Sequence, residues 1–434
     1  MYKSVILFAL LFISFQVKII GQQKENTYIK AGFLYDSKSN KLVKNKLIQI
    51  QGTKIISIGE FESLPLNSPV IDLTQYTVLP GLIDAHTHVL FSQDANEDFA
   101  KHSVHSLTME SDALRVLRGS KRAQSYLYEG ITSIKDLGNS GLYLDVALRD
   151  AINEGTIDGP RIFASGPILS AQGGQIYGVL PEHQSIIDLE YRTIKSVEDA
   201  KSAVNEHVNQ NVDLIKICAD NLPNKTFLTV EEMKSIVKTA HSYNLTVTAH
   251  CVTNQSALNA IEAGVDGIEH GFNLAESTLV KMAEKEVFLV PTENSKWYMN
   301  RYAKLAGYDE SELDWINNYM TKMEQRLSNS IKTGVTIVSG SDNYTDINTT
   351  RGKSSKDMLT YYFEAGMKPL DILRSSTYIS AVQLNKENNI GYIRPKANAD
   401  IIAVKGDIKN DFINTINNIM FVMKDGKTYV NKTN

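Results

Sequence analysis

The feature that most constrains this chain is a repeated alternation, between residues 79 and 391, of short apolar segments with longer amphipathic ones. Strand-like pieces occur at 82–88, 131–136, 161–165, 214–218, 246–250, 267–270, 287–290 and 335–339. Helical stretches lie between them, for example at 107–129, 142–154, 230–243 and 254–263. Strands that alternate with helices pair in parallel, because a parallel pairing needs a long crossover. Eight such units predict an α/β fold of the (β/α)8 TIM barrel type, with reactive groups at the C-terminal ends of the strands. The competing doubly wound sheet carries a Gly-rich phosphate loop after its first strand, and this sequence has none there.

Both ends of the chain read differently. Residues 27–78 alternate short β pieces with turn residues such as Asp36-Ser37-Lys38-Ser39-Asn40, and residues 392–430 again read as strands. Neither end is large enough to bury a core alone, so the two are expected to pack as one small discontinuous β-sandwich. Met1-Tyr2-Lys3 precedes an apolar run from Val5 to Phe15 that is short for a permanent span. Residues 1–21 are therefore expected to be a signal peptide and the mature protein to be exported, periplasmic or secreted, with no stable membrane span; an uncleaved anchor is the alternative. Only Cys218 and Cys251 are present, so no disulfide framework supports the fold. A net charge of -4 offers no basic footprint for nucleic acid.

The barrel's first strand ends in His86-Thr87-His88, after the turn Pro80-Gly81. Residues i and i+2 of a strand face the same side, so the two imidazoles can meet one metal ion. His250, His270 and Asp342 stand at other strand ends, and Lys216 sits among Leu214, Ile215 and Ile217. An unpaired ammonium in such a strand is costly and repels a neighbouring cation. Carboxylation to a carbamate would make Lys216 an anionic bridge between two ions; pairing with Asp213 or Asp220, or reaching solvent, is the alternative. The other five histidines lie in helices or loops and are assigned no role. Two long connections, 169–195 and one beginning at Pro291, follow strands and are expected to shape the substrate pocket. Gln175, Tyr177, Asp220, Asn221, Tyr298 and Tyr344 are the pocket candidates.

Six stretches now carry a resemblance: residues 79–88, Gly130-Ile131-Thr132-Ser133-Ile134-Lys135-Asp136-Leu137-Gly138, Gly159-Pro160-Arg161-Ile162, Ile215-Lys216-Ile217, residues 263–271 and Gly340-Ser341-Asp342. Together the chain resembles the amidohydrolase superfamily, in its branch of metal-dependent peptidases (Xaa-Pro dipeptidase and carboxypeptidase-like) and imidazolonepropionase-like proteins. The resemblance implies that His86, His88 and Asp342 hold one divalent ion, zinc by expectation, and that His250 and His270 hold a second. Carboxylated Lys216 and a hydroxide would bridge them, and Asp342 would act as general base and then acid. The chain departs from the peptidase pattern at Cys251-Val252, where a second histidine is common, and at Gln175, which often is histidine.

The implied activity is binuclear hydrolysis of a peptide or amide C–N bond in a small-molecule substrate, by a chain that could form a homo-oligomer. A cyclic-amide hydrolase of imidazolonepropionase type or a lactonase is the alternative enzyme. A metal- or ligand-binding barrel without turnover is the alternative outside enzymes.

Overall fold

The computed structural model describes residues 26–433. The signal peptide expected at 1–21 lies outside the described residues. The chain opens with four strands, β1 (Asn26–Asp36), β2 (Lys41–Gln51), β3 (Lys54–Glu60) and β4 (Val70–Pro80). The turn between β1 and β2 follows from its composition. Asp36 Oδ1 accepts the N–H groups of Lys38 and Ser39 at 3.1 Å, and Asn40 takes the left-handed conformation at φ 56°.

Strand β5 (Leu82–Thr87) follows almost at once and is buried along its whole length, as expected of a parallel strand covered on both faces. The next elements in order are β6 (Gln93–Asp94), β7 (Ile131–Asp136), β8 (Arg161–Ala164), β9 (Ile168–Ser170), β10 (Tyr191–Thr193), β11 (Ile215–Cys218), β12 (Val247–Cys251), β13 (Gly267–His270), β14 (Phe288–Val290) and β15 (Thr345–Asp346). Strands β5, β7 and β8 form one parallel sheet, and β10, β9, β11, β12, β13 and β14 another, in those orders. Hydrogen bonds continue between them: Asp213 N–H, two residues before β11, donates to Ala164 O at the end of β8 at 2.8 Å. On the far side Leu289 bridges Ile337, and Ala85 of β5 donates to Ser339 O at 2.8 Å. The series of parallel segments therefore returns to β5, where it began.

Helices cross over between these strands, among them Asp112–Tyr128, Leu144–Asn153, Val197–Asn209, Val230–Ser242 and Asn254–Ala263. Thr229 starts one of them with a reciprocal capping box, its side chain accepting from Glu232 N–H while Glu232 accepts from Thr229 N–H. The strand expected at 335–339 is reduced to the single bridge at Ile337, because its flanking residues bond outward to β14 and β5 rather than in a regular ladder. The loop expected after Pro291 is mostly helical, with helices Lys296–Ala306 and Glu310–Thr333, the second capped by Asp309. No helix among the described residues is long and apolar enough to cross a membrane.

The chain ends in β16 (Ile401–Val404), β17 (Ile419–Lys424) and β18 (Lys427–Asn431). Both chain ends meet in one seven-stranded sheet of order β18-β17-β16-β4-β1-β2-β3. In place of two separately hydrogen-bonded sheets, the ends share one continuous ladder. The reason is β4, which pairs with β1 between Val70 and Val78 on one side and with β16 through Thr77–Pro80 on the other, so hydrogen bonding is not interrupted between the ends. The sheet still encloses its own core: Ile29, Ile48, Ile55 and Leu73 from one end pack with Ile401 and Phe421 from the other.

Candidate metal centre

Strand β5 and the residue that follows it deliver the first two side chains, His86 and His88. Its burial leaves every polar atom there in need of a partner, and each histidine finds one at Nδ1. His86 Nδ1 lies 2.6 Å from Glu269 Oε2, and His88 Nδ1 lies 2.8 Å from Gly138 O. Both acceptors require an N–H, which places the lone pair of each ring on Nε2. The two Nε2 atoms face one another at 3.3 Å.

Asp342 completes this group from the segment Gly340-Ser341-Asp342. Gly340 has to be glycine, since a Cβ there would lie 2.8 Å from His86 Cβ and 2.4 Å from Val290 Cγ1. Buried Asp84 anchors the segment, accepting from Ser341 N–H at 2.9 Å and Ser341 Oγ at 2.6 Å. Asp342 itself adopts φ 51° and donates its N–H to His86 O at 2.9 Å. This turn aims Oδ1 at the histidines, 3.2 Å from His88 Nε2 and 3.5 Å from His86 Nε2. That oxygen is buried and has no hydrogen-bond partner. Two lone pairs and a carboxylate oxygen thus converge without a donor, and these three residues group within metal-ligand reach. A divalent cation fits that donor set of imidazole nitrogen and carboxylate oxygen.

His250, His270 and Lys216 adjoin this group. Register brings them together, because Cys218 pairs with His250 and Cys251 with His270 across β11, β12 and β13. The ring centroid of His270 is 4.5 Å from that of His250 and 4.9 Å from that of His86. His270 sits at φ 66°, which breaks the alternation of the strand and lets both Glu269 and His270 reach His86. Its Nδ1 lies 2.8 Å from Thr292 Oγ1, while His250 Nε2 lies 3.1 Å from the Gln175 amide and 3.6 Å from Asp220 Oδ1. Lys216 is 2% exposed, and among the described residues it has no ion pair. Asp213 is engaged by Arg149 at 2.8 Å, and Asp220 by the N–H groups of Val252 and Thr253, so neither serves Lys216.

The field in the pocket favours the neutral form of His86, His250 and His270, the form that binds metals. Burial, then the charges of Lys216 and His88, hold His86 well below its usual range; burial and the neighbouring His250 do the same for His270. Burial and Lys216 bring His250 down to about 3. His88 goes the other way: burial presses it down, but the Asp342 carboxylate 3.2 Å away outweighs that.

The supporting pair Lys135 and Glu269 escaped the sequence analysis. Both are fully enclosed, with Lys135 Nζ 2.9 Å from Glu269 Oε1 and 3.1 Å from Gln383 Oε1. Burial opposes ionisation of Glu269, yet Lys135, Lys216 and the Thr248 hydroxyl hold its carboxyl below the usual range. The signal was a charged residue inside an apolar strand, the same signal that marked Lys216.

The pocket candidates divide. Tyr298 and Tyr344 line a cavity that reaches Asp342, and Gln175 lies against His250. Tyr177 stands apart, half-exposed and hydrogen-bonded to Asp98. Asp220 ties two strand-end loops together, and Asn221 braces the loop through Ala171 O at 3.1 Å and Thr226 Oγ1 at 2.9 Å.

The profile of the amidohydrolase family matches residues 77–429, a span that contains every residue of this cluster. The chain belongs to the amidohydrolase family. As a member it is a hydrolase of C–N bonds, in a family that typically binds metal ions. It is 28% identical over 417 residues to the ochratoxinase of Aspergillus niger, covering 87% of this chain and 81% of that one. A solved amidohydrolase superposes with a TM-score of 0.81 at 25% identity, over 94% of this chain and all (100%) of the other. A Xaa-Pro dipeptidase solved with methionine in its active site gives 0.80 at 26% identity, with the same coverage of 94% and 100%. The amidohydrolase match begins at Thr77, inside β4, so it takes in the strand that feeds the His86 and His88 segment.

Proposed function

We propose that this chain is an exported, binuclear metal-dependent hydrolase of peptide or amide bonds in small molecules, built on a closed (β/α)8 barrel. His86, His88 and Asp342 would hold one ion and His250 and His270 the other, with Lys216 carboxylated between them and zinc as the metal. The observation that carries the reading is the pair of lone-pair-bearing Nε2 atoms 3.3 Å apart, facing an unpartnered Asp342 oxygen. The unpaired burial of Lys216 supports the carbamate, since an anion there would sit comfortably beside cations where an ammonium would not. When bound, the ions would supply Lewis acidity toward the scissile carbonyl and lower the pKa of attacking water.

The chain's own groups do the rest. Glu269 and the Gly138 carbonyl fix the two ring orientations, so the ligand nitrogens need no rearrangement as charge develops. Asp342 directs Oδ1 toward the histidines, while Oδ2 lies 3.7 Å from His270 Nδ1. Its carboxylate takes the proton from the attacking water and returns it to the departing amine.

Metal analysis of purified protein should give about two zinc ions per chain, and Lys216→Ala should lower the figure to about one or fewer. A single ion per chain, unchanged by that substitution, overturns the bridged centre. Screening the metal-loaded protein against dipeptides, N-acyl amino acids, cyclic amides and lactones tests the bond class; turnover of lactones alone would displace the amide reading.

A further inference from the structure

Beside Asp342 the chain encloses a cavity of about 250 Å³, room for one amino-acid-sized group. Phe272, Tyr298, Tyr319, Met320 and Met323 give it a wall of rings and thioethers. The buried polar atoms left unpartnered on the lining residues are all oxygens: Gln93 Oε1, Glu293 Oε2, Asn294 Oδ1, Asn343 Oδ1 and Tyr361 Oη, besides Asp342 Oδ1. Among the described residues no lysine or arginine lines the cavity. Apart from the Tyr361 hydroxyl, which can also donate, these are carbonyl and carboxylate oxygens that accept; a buried acceptor without a donor is costly, so their concentration points to a ligand that brings donors.

Two of the acceptors are fixed. Asn343 Nδ2 donates to Ser354 O at 2.7 Å, so turning the amide round would set two oxygens against each other. Glu293 gives Oε1 to Arg326 and keeps Oε2 free. Arg326 directs further donors to the carbonyls of His270, Gly271 and Pro291, and its buried Nε is left without a partner. Burial pushes the Glu293 carboxyl up to about 8 even against the pull of that guanidinium, so a second cation at Oε2 would hold it ionised. An ammonium would supply both donors and charge, and aromatic faces attract it further. N-acylation would remove the charge and set a carbonyl oxygen among oxygens.

We propose that this cavity binds the free, protonated amino end of the substrate, with Glu293 as its main acceptor. The enzyme then selects acyl groups that carry a primary ammonium beside a large apolar side chain, as an amino-terminal methionine, leucine or phenylalanine does. The proposal rests on the hydrolase reading of the same site, and binding measurements separate the two.

The test is calorimetry of the metal-loaded protein with L-methioninamide and with its N-acetyl derivative. The free amine should bind at least about tenfold more tightly, a ratio equivalent to about 1.4 kcal/mol. Glu293→Gln should bring the ratio close to one. Tyr319→Leu, which keeps the wall apolar but removes a ring, should lower it several-fold, and decides the matter if the first variant does not fold. Equal or tighter binding of the N-acetyl compound, or a ratio unmoved in the variants that fold, overturns the proposal. Should N-acetyl substrates be cleaved faster than free amines, the hydrolase reading stands and this one falls. Preference for the amine without cleavage of any amide leaves the cavity's role intact and removes the hydrolase.

Discussion

Asp342→Asn should fold like the parent and lose about 10³-fold in kcat, within the range that a positioned acid–base group contributes. Asparagine suits the test because it tolerates the left-handed backbone found at this position, φ 51°, and keeps an oxygen where Oδ1 stands. What it loses is the capacity to take a proton. Metal content and thermal unfolding should therefore stay near those of the parent while turnover at saturating metal and substrate collapses. Normal kcat in a metal-replete Asp342→Asn protein removes Asp342 as the proton carrier. Loss of metal in step with loss of activity would instead assign it a ligand role alone.

The second large effect concerns stability. Lys135→Met should destabilise the fold by about 3–5 kcal/mol, because it leaves the Glu269 carboxylate buried without its cation. The enclosure is complete on both sides, with Lys135 1% and Glu269 0% exposed, so water cannot replace the lost partner. Denaturant unfolding measures the change. Replacing both charges at once, as in Lys135→Met with Glu269→Leu, should recover much of the stability, while metal affinity stays about 10–100-fold weaker because His86 loses the acceptor at Nδ1. If the double variant is no more stable than the single one, the cost lies in packing around the substituted side chain rather than in the stranded charge. Full metal affinity in the double variant would show that Glu269 does not orient His86.

Much of this is legible in the sequence. The parallel strands ending in His88, His250 and His270 follow from apolar runs whose length and flanking helices admit few alternatives. The segment around Ile337 was harder to read, because its residues look like a strand but bond singly to two neighbours. The region after Pro291 looked like a loop because its helices are polar at the surface; only the Asp309 and Glu312 pair marked a helix start. Lys135 and Glu269 were invisible as a pair, since nothing local links residues so far apart in sequence. The oxygen-rich cavity escaped notice for the same reason: Glu293, Asn343 and Tyr361 become neighbours only once the chain is closed.

The shared sheet of the two chain ends bears on the order in which the molecule can be made. Val78 of β4 pairs with Ala403 of β16, and beyond β16 lie β17 and β18, the last strands of the chain. During synthesis β4 emerges well before β16, and its partner edge stays bare until β16 follows. A bare edge next to apolar Val78 and Leu79 invites pairing with other chains in the meantime. The strand that leads directly into His86 and His88 thus waits for β16, and loss of β17 and β18, which back β16, should be felt at His86 and His88 although those strands lie far from them in sequence.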